Sequence, residues 1–521
     1  MPEYLRSLIF ILVVSSVTFA FAKKAVGPLL QPQQFNRWRN AWLAITIIAF
    51  MSQNFWVYIV VSAILLMITA KREPNQFGLF FVLLFAAPMI GEKIPAFGVI
   101  NFLFTMNYLR LLSLAILLPA FLSLRNQPGI SGFGKNWPDR LLLSYLILNV
   151  LLNLRDTSFS DAMRFGFYQF TDVFLPYYVA SRGIKNLAQL KEVIIAFVLA
   201  CFLLAALGMV EFAKHWLLYN SLQGTWGIAW DMVSYLNRGQ DLRALTTLGQ
   251  PIVLGYVMAI GLGFYLLVAQ SITSKAMRFI GLMLILAGLY VPLSRGPWVG
   301  AAALLVIYIA TGPNAMKRLA MLGIAALLSL PILNEIPGGE KIINLIPFVG
   351  TTEVENIDYR ERLIDNSIIV IKRNLLFGST TYREEPEMQE MIQGEGIIDI
   401  VNSFIGIALE SGIVGLSLFV GFFTVILLSI FKTMKKIPGK KIEAYLLGRT
   451  LLACLIGILV TIITVSSIVV IPIVYWSVAG LGVAYTYIIR KQGSHTGKIK
   501  NPENPELSKL PTSRLREKTV G

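Results

Sequence analysis

Charged residues and metal-binding side chains are scarce in this chain. Only 14% of its 521 residues are Asp, Glu, Lys or Arg, and it contains two histidines and two cysteines. Cys201 and Cys454 both lie within long apolar runs, so we expect buried thiols and no disulfide. No two aspartates form an Asp-x-Asp pair. These absences argue against a metal site built from His, Cys or Asp, and we expect chemistry without a metal or another cofactor.

Long apolar runs take the place of the missing charges. Hydrophobic residues make up 56% of the chain, and the mean hydropathy is +0.68. A helix needs about 20 apolar residues to cross a hydrocarbon core of about 30 Å, and runs of that size follow one another almost from end to end. The runs are continuous rather than alternating, which favours helices over a barrel. We therefore predict an all-α, polytopic membrane bundle over residues 1–489, with about 14 spans (about 13 to 15).

The basic residues indicate how the bundle is oriented. The net charge is +16, but the lysines and arginines stand in short loops, as membrane topology requires, so nucleic-acid binding is not expected. If each run crosses once, the clusters around Lys185, Lys317 and Lys436 fall on one side, predicted to be cytoplasmic. The polar segments 214–250 and 334–400 then lie outside the membrane on the other face.

Two stretches near the ends of the chain carry further predictions. Residues 41–70 are either one long tilted helix or two short helices, and two helices are favoured because they keep Lys23 and Arg37 on the cytoplasmic side.

Residues 490–521 are polar and basic, contain prolines, and are predicted to be a disordered cytoplasmic tail that contacts membrane lipid.

Two arginines stand where external segments meet the membrane. Arg295 lies between two apolar runs and is followed by Gly-Pro, which breaks a helix and frees backbone amides. An arginine beside such amides suits an anion, above all a phosphate. The alternative is a helix-end arginine that reaches to lipid headgroups. Arg243 is the second candidate for binding an anion. It has Arg238 near it and precedes the span that begins at Pro251.

The external segment 334–400 is acidic, with 13 Asp or Glu against 6 Lys or Arg. Within it, residues 359–373 show Leu363, Ile364, Ile368 and Ile371 at helical spacing. We predict an amphipathic helix that either packs on the spans or lies on the membrane surface.

The run after this segment begins with Asn402, a plausible helix N-cap, and carries a carboxylate, Glu410, two turns further on. A carboxylate in such a run has a partner or is neutral, and it is more often structural than catalytic.

The order of these features resembles the bacterial O-antigen ligase and polymerase family, membrane glycosyltransferases that assemble surface polysaccharides. The resemblance covers about residues 180–432 and rests on short motifs, which in chain order are Arg243 with GQP at 249–251, Ser294-Arg295, LFG at 376–378, Asn402-Ser403-Phe404 and LESGIVG at 409–415.

The resemblance implies a glycan donor carried on undecaprenyl diphosphate and used at the periplasmic face of the bacterial inner membrane. Arg295 and Arg243 would then be catalytic by stabilising the departing diphosphate without a metal. Arg238, Arg360 and Asn402 are assigned to substrate binding. Asp399, Glu395 and Glu410 are candidates for a general base. A chain-length regulator and a flippase are partners implied by the family alone.

One position bears on which of the family's two activities, ligase or polymerase, this chain has. In the ligase branch a histidine usually precedes the asparagine of the last motif, but here that position is Val401. A polymerase that joins carrier-linked repeat units is therefore favoured. A ligase that moves finished glycan to lipid A core or protein is the alternative, and a polysaccharide transporter or flippase is the alternative from another class.

Overall fold

Helices make up most of the structure. The computed structural model describes the chain except for residues 97–100, 229–234, 336–338, 340–342, 344–353, 394–395, 441, 469 and 499–521. The helices are α1 Glu3–Ala25, α2 Pro32–Met51, α3 Phe55–Lys71, α4 Gln76–Leu83, α5 Tyr108–Leu112, α6 Leu118–Arg125, α7 Trp137–Asp156, α8 Phe159–Gln169, α9 Leu175–Gly183, α10 Leu187–Lys214, α11 Ser221–Trp226, α12 Pro251–Val268, α13 Lys275–Tyr290, α14 Arg295–Ala310, α15 Ala315–Glu335, α16 Val354–Arg373, α17 Pro386–Gln389, α18 Ser403–Lys435, α19 Glu443–Ile462 and α20 Ile471–Lys498. Two π-helical turns, Ser113–Leu117 and Phe170–Phe174, join α5 to α6 and α8 to α9.

Two short antiparallel hairpins interrupt the helices. Strand β1 (Gly91–Pro95) pairs with β2 (Phe102–Asn107), and β3 (Asn237–Arg238) pairs with β4 (Asp241–Leu242). The apolar run at 77–92 is long enough to predict one of the spans, but that prediction is wrong as a continuous helix, because α4 ends at Leu83 and the chain becomes extended by Gly91. An apolar run alone did not reveal this change, since a short apolar run is compatible with a strand or with a helix segment.

Several helices are long and apolar enough to cross a membrane. Among the described residues they are Glu3–Ala25, Tyr108–Arg125, Leu187–Lys214, Pro251–Ser271, Ser403–Lys435, Glu443–Ile462 and Ile471–Gln492, with shorter apolar helices at Phe55–Lys71 and Arg295–Ala310. A multi-pass helical membrane protein is thereby supported, while the count of about 14 spans and the sidedness stay predictions.

The choice between one and two helices at 41–70 is resolved as two. Helix α2 ends at Met51 and α3 begins at Phe55, with Asn54 capping α3 by accepting hydrogen bonds from the amides of Trp56 and Val57. At the other end of the chain, α20 continues to Lys498, into the predicted tail 490–521, and residues 499–521 lie outside the described part.

The basic loops gather at one end of the bundle, which we call the basic end. Lys191 pairs with Glu443 at 2.7 Å. The hydroxyls of Tyr445 and Tyr487 donate to the carbonyls of Thr311 and Gly129, at 2.8 and 3.5 Å. These contacts join four of the loops that the sequence assigns to the cytoplasm.

The opposite end of the bundle contains the arginine candidates, and we call it the site end. Helix α10 runs between the two ends. Its 28 residues correspond to about 42 Å at 1.5 Å per residue.

Helices α14 and α19 pack closely through glycines. A Cβ atom at Gly300 would lie 2.9 Å from the carbonyl oxygen of Gly457, and one at Gly457 would lie 3.0 Å from that of Gly300. Small residues let membrane helices approach in this way. The contact fixes α14, and with it Arg295 at its first turn, against α19 and the loop that follows.

Residues of the segment 334–400, which is predicted to be external and is called the external segment below, form a small hydrophobic core. The predicted amphipathic helix is confirmed as α16, which buries Tyr359, Leu363 and Val370 against residues that include Met388 and Leu409. Since Leu409 belongs to α18, this core fastens the segment to the bundle.

The predicted apolar face of α16 needs a correction. Ile364 and Ile368 are 44% and 43% exposed. The buried stripe is centred on the other side of Leu363, because its packing partners are Tyr382, Met388 and Met391.

Candidate functional site

Two of the predicted arginines hold one backbone turn. Arg243 donates from Nε to the carbonyl of Pro292 at 3.1 Å and from Nη2 to the hydroxyl of Ser294 at 2.9 Å. Arg238 donates from Nη1 to the carbonyl of Leu293. Leu293 has a φ of 49°, a conformation that a branched side chain rarely adopts, so the turn needs this support.

Arg295 follows this turn directly and begins α14. Ser294 is the N-cap residue, but its side chain makes no capping bond, because its hydroxyl donates to Pro292 and accepts from Arg243. The amides of the first turn of α14 are thus not capped by Ser294, and the helix dipole adds positive potential there. A half-buried guanidinium at a helix start is an arrangement suited to a phosphate group.

A buried carboxylate that the sequence reasoning missed anchors the loop of Arg243. Glu211, fully buried near the end of α10, accepts hydrogen bonds from the amides of Leu218, Leu245 and Thr246 at 3.1, 3.1 and 2.8 Å. The loop is also bonded through the amide of Ala244 to the carbonyl of Val291 at 3.1 Å. A glutamate inside an apolar run was the available signal for this residue.

The loop between α19 and α20 joins the last motif to α14. A Cβ at Gly296 would lie 2.6 Å from Thr464 Oγ1. One residue later, the carbonyl of Val465 accepts a hydrogen bond from the Ser403 hydroxyl at 2.7 Å. Ser466 donates to Asp399 Oδ1 at 2.5 Å. This serine-rich loop, at 463–467, was also missed, and it brings Asp399 to the helix that starts with Arg295.

Asn402 has the structural role predicted for it. Its side-chain oxygen caps α18 by accepting hydrogen bonds from the amides of Phe404 and Ile405, at 2.9 and 3.2 Å. Asp399, three residues earlier, is half-buried, and its carbonyl accepts from the Tyr359 hydroxyl at 3.1 Å. Substrate binding by Asn402 stays a prediction, since its carbonyl oxygen is already used.

Two of the short motifs, LFG at 376–378 and LESGIVG at 409–415, meet at a break in α18. We call this contact between residues 375–379 and 409–414 the interlock. Gly412 leaves the helical conformation, with φ 64° and ψ −167°. The amide of Ser379 donates to the carbonyl of Leu409 at 2.8 Å, and that of Ile413 donates to Leu375 at 2.9 Å. The LFG and LESGIVG segments, more than 30 positions apart in the sequence, therefore share backbone hydrogen bonds.

The end of α7 ties this interlock to the bundle. Arg155 donates to the carbonyl of Gly378 at 2.8 Å. Asp156, the last residue of α7, accepts from the amide and the hydroxyl of Thr380, both at 2.9 Å. The hydrogen bond from Arg155, with those from Thr380, lowers the pKa of Asp156 to about 2. The carboxylate is therefore charged at neutral pH and holds the loop at 378–380.

A further cation lies near both predicted carboxylates. Burial acts to lower the pKa of the Arg383 guanidinium, but Tyr382, Glu410 and Asp399 outweigh burial and raise the pKa. Arg383 is an exposed residue that donates to the Tyr382 hydroxyl at 3.1 Å. Sequence reasoning missed this residue because nothing in the local pattern distinguishes it from other surface arginines.

The structure thus brings most of the predicted site residues into one neighbourhood. Arg238 and Arg243 bind the turn 292–294, which leads directly into Arg295. Asp399 and Ser403, the neighbour of Asn402, bind the loop at 463–467, which lies against α14. Glu410 is exposed on α18 just before its break.

The other predictions for site residues have separate outcomes. Arg360 is exposed on α16, next to Tyr359. Glu395 lies outside the described residues. Within the part of the chain that the structure describes, no group of three or more His, Cys, Asp or Glu could hold a metal ion. Metal independence and the role of each residue stay predictions.

Comparison with known families bears on the same region. Residues 280–420 match the family described as O-antigen ligase. The match spans the turn of Arg295, the external segment and the first part of α18, and it confirms the predicted resemblance to O-antigen ligases and polymerases. It supports a membrane enzyme of polysaccharide assembly. The curated proteins include no match to the chain.

Proposed function

We propose that this protein is a membrane glycosyltransferase that uses a glycan linked to undecaprenyl diphosphate. The observation that carries the proposal is the pair of hydrogen bonds from Arg243 to Pro292 and Ser294, which sets Arg243 beside the residue that precedes Arg295. Two guanidinium groups at one helix start suit a diphosphate better than a single charge would. The proposed site faces the periplasm of a bacterial inner membrane.

Charge develops on the lipid diphosphate as the sugar departs from it. The bond between the anomeric carbon and the diphosphate oxygen breaks, and an acceptor hydroxyl oxygen forms the new glycosidic bond. Arg295 and the amides of the first turn of α14 would stabilise the departing diphosphate. Arg243 would face the diphosphate as well, and the hydrogen bonds from Arg243 and Arg238 would keep the turn of Arg295 in place, because their acceptors are Pro292, Ser294 and Leu293.

The acceptor hydroxyl must lose its proton. Asp399 is the favoured general base, since it is half-buried and is held by Ser466 in the loop that touches α14. Glu410 is the second candidate. Arg383 interacts electrostatically with both carboxylates and would place positive charge beside them.

A polymerase is the preferred form of this activity. It would transfer the growing chain from one carrier to the next carrier-linked unit. The preference rests on Val401, which stands where ligases usually have a histidine. A ligase that delivers finished glycan to lipid A core or protein is the second candidate, favoured by the family description itself.

The test uses Arg295→Ala and Arg295→Lys in the full-length protein, reconstituted with a polyprenyl-diphosphate-linked repeat unit. Loss of one stabilising donor in such a site costs roughly 100- to 1,000-fold in rate, so the alanine variant should form almost no polymer. Lysine should restore only part of the rate, because it lacks the planar fork of arginine.

Arg362→Ala is the matched control, since Arg362 is an exposed arginine on α16. It should leave the polymer ladder unchanged. Polymer of normal length and rate from Arg295→Ala would remove Arg295 from the mechanism.

A gene deletion separates polymerase from ligase. Loss of polymer while single repeat units still reach the cell surface indicates a polymerase. Accumulation of carrier-linked polymer that is never attached indicates a ligase.

A further inference from the structure

Arg449 is a buried arginine that has no carboxylate beside it among the described residues. It lies on α19 at the basic end and is 4% exposed. Its Nε donates to the carbonyl of Tyr308, and its Cζ lies 3.6 Å from the centre of the Tyr308 ring. The groups that act on its charge are Tyr308, Tyr445 and Arg318. Since a cation taken out of water is costly unless an anion accompanies it, this arginine calls for a partner.

A second buried arginine shows what such a partner looks like. Arg182 is 8% exposed and pairs with Asp139, whose side chain is fully buried. The acidic residue nearest to Arg449 in the sequence is Glu443, and it pairs instead with Lys191 at 2.7 Å. In the part of the chain that the structure describes, the charge of Arg449 is therefore not balanced by a carboxylate.

The end of α14 offsets only part of this charge. The last carbonyls of a helix carry roughly half a negative charge, and Arg449 binds one of them. Lys440 donates from Nζ to the carbonyl of Gly312 at 3.4 Å. A Cβ atom at Gly312 would lie 2.5 Å from Arg449 Nη2, so both cations lie at the turn 311–314. With Arg318, three positive charges surround a turn at which the helix supplies about half a negative one.

The donors at this turn are available to a ligand. Among the described residues, none accepts a hydrogen bond from Nη1 or Nη2 of Arg449, and neither atom is fully shielded from solvent. Lys440 and Arg318 are exposed. Helix α15 begins at Ala315, directly after the turn, and its first amides add positive potential. The turn thus combines a buried guanidinium with two exposed cations and a helix start.

The surroundings of the turn favour a lipid over a free anion. Met316 and Ile442, each two residues from one of the exposed cations, are themselves 82% and 46% exposed. The hydroxyl of Tyr445 donates to the carbonyl of Thr311 at 2.8 Å. Tyrosine beside basic residues and exposed apolar side chains is typical of the boundary between hydrocarbon and water.

We propose that the turn 311–314 binds the phosphate group of an anionic membrane lipid. Arg449 is the buried donor, and its two terminal nitrogens match two phosphate oxygens. Lys440 and Arg318 flank the phosphate, and the acyl chains lie along the exposed apolar side chains near the turn. Basic sites between helices at the cytoplasmic boundary suit such headgroups.

This lipid site is separate from the proposed glycosyl-transfer site. Arg295 begins α14 and Tyr308 lies near its end, so the two sites are about 20 Å apart along the helix at 1.5 Å per residue. The proposal for the lipid does not depend on the proposed function.

The test measures lipid retention by native mass spectrometry on the delipidated full-length protein. The probes are phosphatidylglycerol, phosphatidylcholine and inorganic phosphate. Arg318→Gln should weaken phosphatidylglycerol binding about fivefold, because it removes one cation from the rim. Arg449→Gln should weaken it more than about tenfold, because it removes a charged hydrogen-bond donor. Phosphatidylcholine and inorganic phosphate should each bind at least about fivefold more weakly than phosphatidylglycerol.

The matched control is Arg125→Gln, which removes an exposed arginine at the end of α6. It should change the affinity less than about twofold. Arg449 also supports the end of α14, so Arg318→Gln, which leaves that contact in place, decides the result if Arg449→Gln does not fold.

Three results would overturn the proposal. One is an equal loss of phosphatidylglycerol affinity in Arg318→Gln and in the control. Another is unchanged affinity in a folded Arg449→Gln variant. The third is binding of phosphatidylcholine or inorganic phosphate as tightly as phosphatidylglycerol.

Discussion

Replacing Gly412 by alanine should open the interlock between the external segment and α18. The φ of 64° and ψ of −167° at Gly412 belong to a region that only glycine occupies readily, and another residue there costs about 1–3 kcal/mol. An added Cβ would also come closer than 3.0 Å to the backbone of Leu376 and Phe377, where no side chain can move aside.

The loss of backbone hydrogen bonds adds to this cost. Three bonds cross the interlock, from Ser379 to Leu409 at 2.8 Å, from Ile413 to Leu375 at 2.9 Å and from Val414 to Leu376 at 3.2 Å. Each contributes about 0.5–1.5 kcal/mol net. We therefore expect at least about 2.5 kcal/mol of local destabilisation, or more than about 50-fold in the opening equilibrium.

Hydrogen exchange followed by mass spectrometry measures this opening directly. Peptides covering 375–381 and 403–414 should lose protection in Gly412→Ala, while the core of α12 should keep it. The control is Gly406→Ala in the same helix, where a Cβ would meet Ile400 at an ordinary 3.5 Å and alanine favours the helix. Unchanged protection in Gly412→Ala, equal to that of Gly406→Ala, would refute the reasoning.

Two further predictions concern buried or partly buried carboxylates. Glu211→Gln would turn one accepting oxygen into a donor that faces backbone amides. Thermal unfolding in detergent should therefore show that the free energy of unfolding falls by about 1–3 kcal/mol, and transfer activity should fall as well. Glu361→Gln, on the exposed side of α16, should change neither quantity, and equal behaviour of the two variants would contradict the role of Glu211. The pKa of Asp156 is about 2 in the folded protein and lies below its ordinary value of 3.8. The stabilisation that charged Asp156 gives to the loop at 378–380 is therefore present above about pH 4 and is lost as the pH falls towards 2. Pepsin should then cleave within 375–381 faster at pH 2 than at pH 4, Asp156→Asn should abolish this dependence, and the exposed Asp161→Asn should keep it.

The sequence was sufficient to predict local structure wherever one physical requirement determined the residues of a segment. Continuous apolar runs predicted α10, α12 and α18, because crossing a bilayer demands that length and composition. Asn402 was predicted as a cap because its side chain can satisfy the first amides of a helix. The helix of the external segment followed from apolar spacing, although the side that is buried did not.

Contacts between distant segments could not be predicted in this way. The bonds of Glu211 and the interlock at Gly412 depend on which loops meet, and no local pattern encodes that meeting. The loop at 463–467 binds Ser403 and Asp399, and nothing in its own sequence indicates these partners. The hairpin at 91–107 was not predicted either, because a short apolar run is compatible with a strand or with a helix segment.

The hydroxyl of Ser403 has a consequence for any attempt to divide this protein. It donates to the carbonyl of Val465 and is hydrogen-bonded to the hydroxyl of Ser467 at 2.8 Å. The residues 280–420 that match the O-antigen ligase family are therefore held in part by residues that come later in the chain. A chimera that transplanted only that stretch would carry Arg295 without the loop at 463–467, which binds Asp399 and lies against the first turn of α14. The last two helices belong in every graft or minimal fragment.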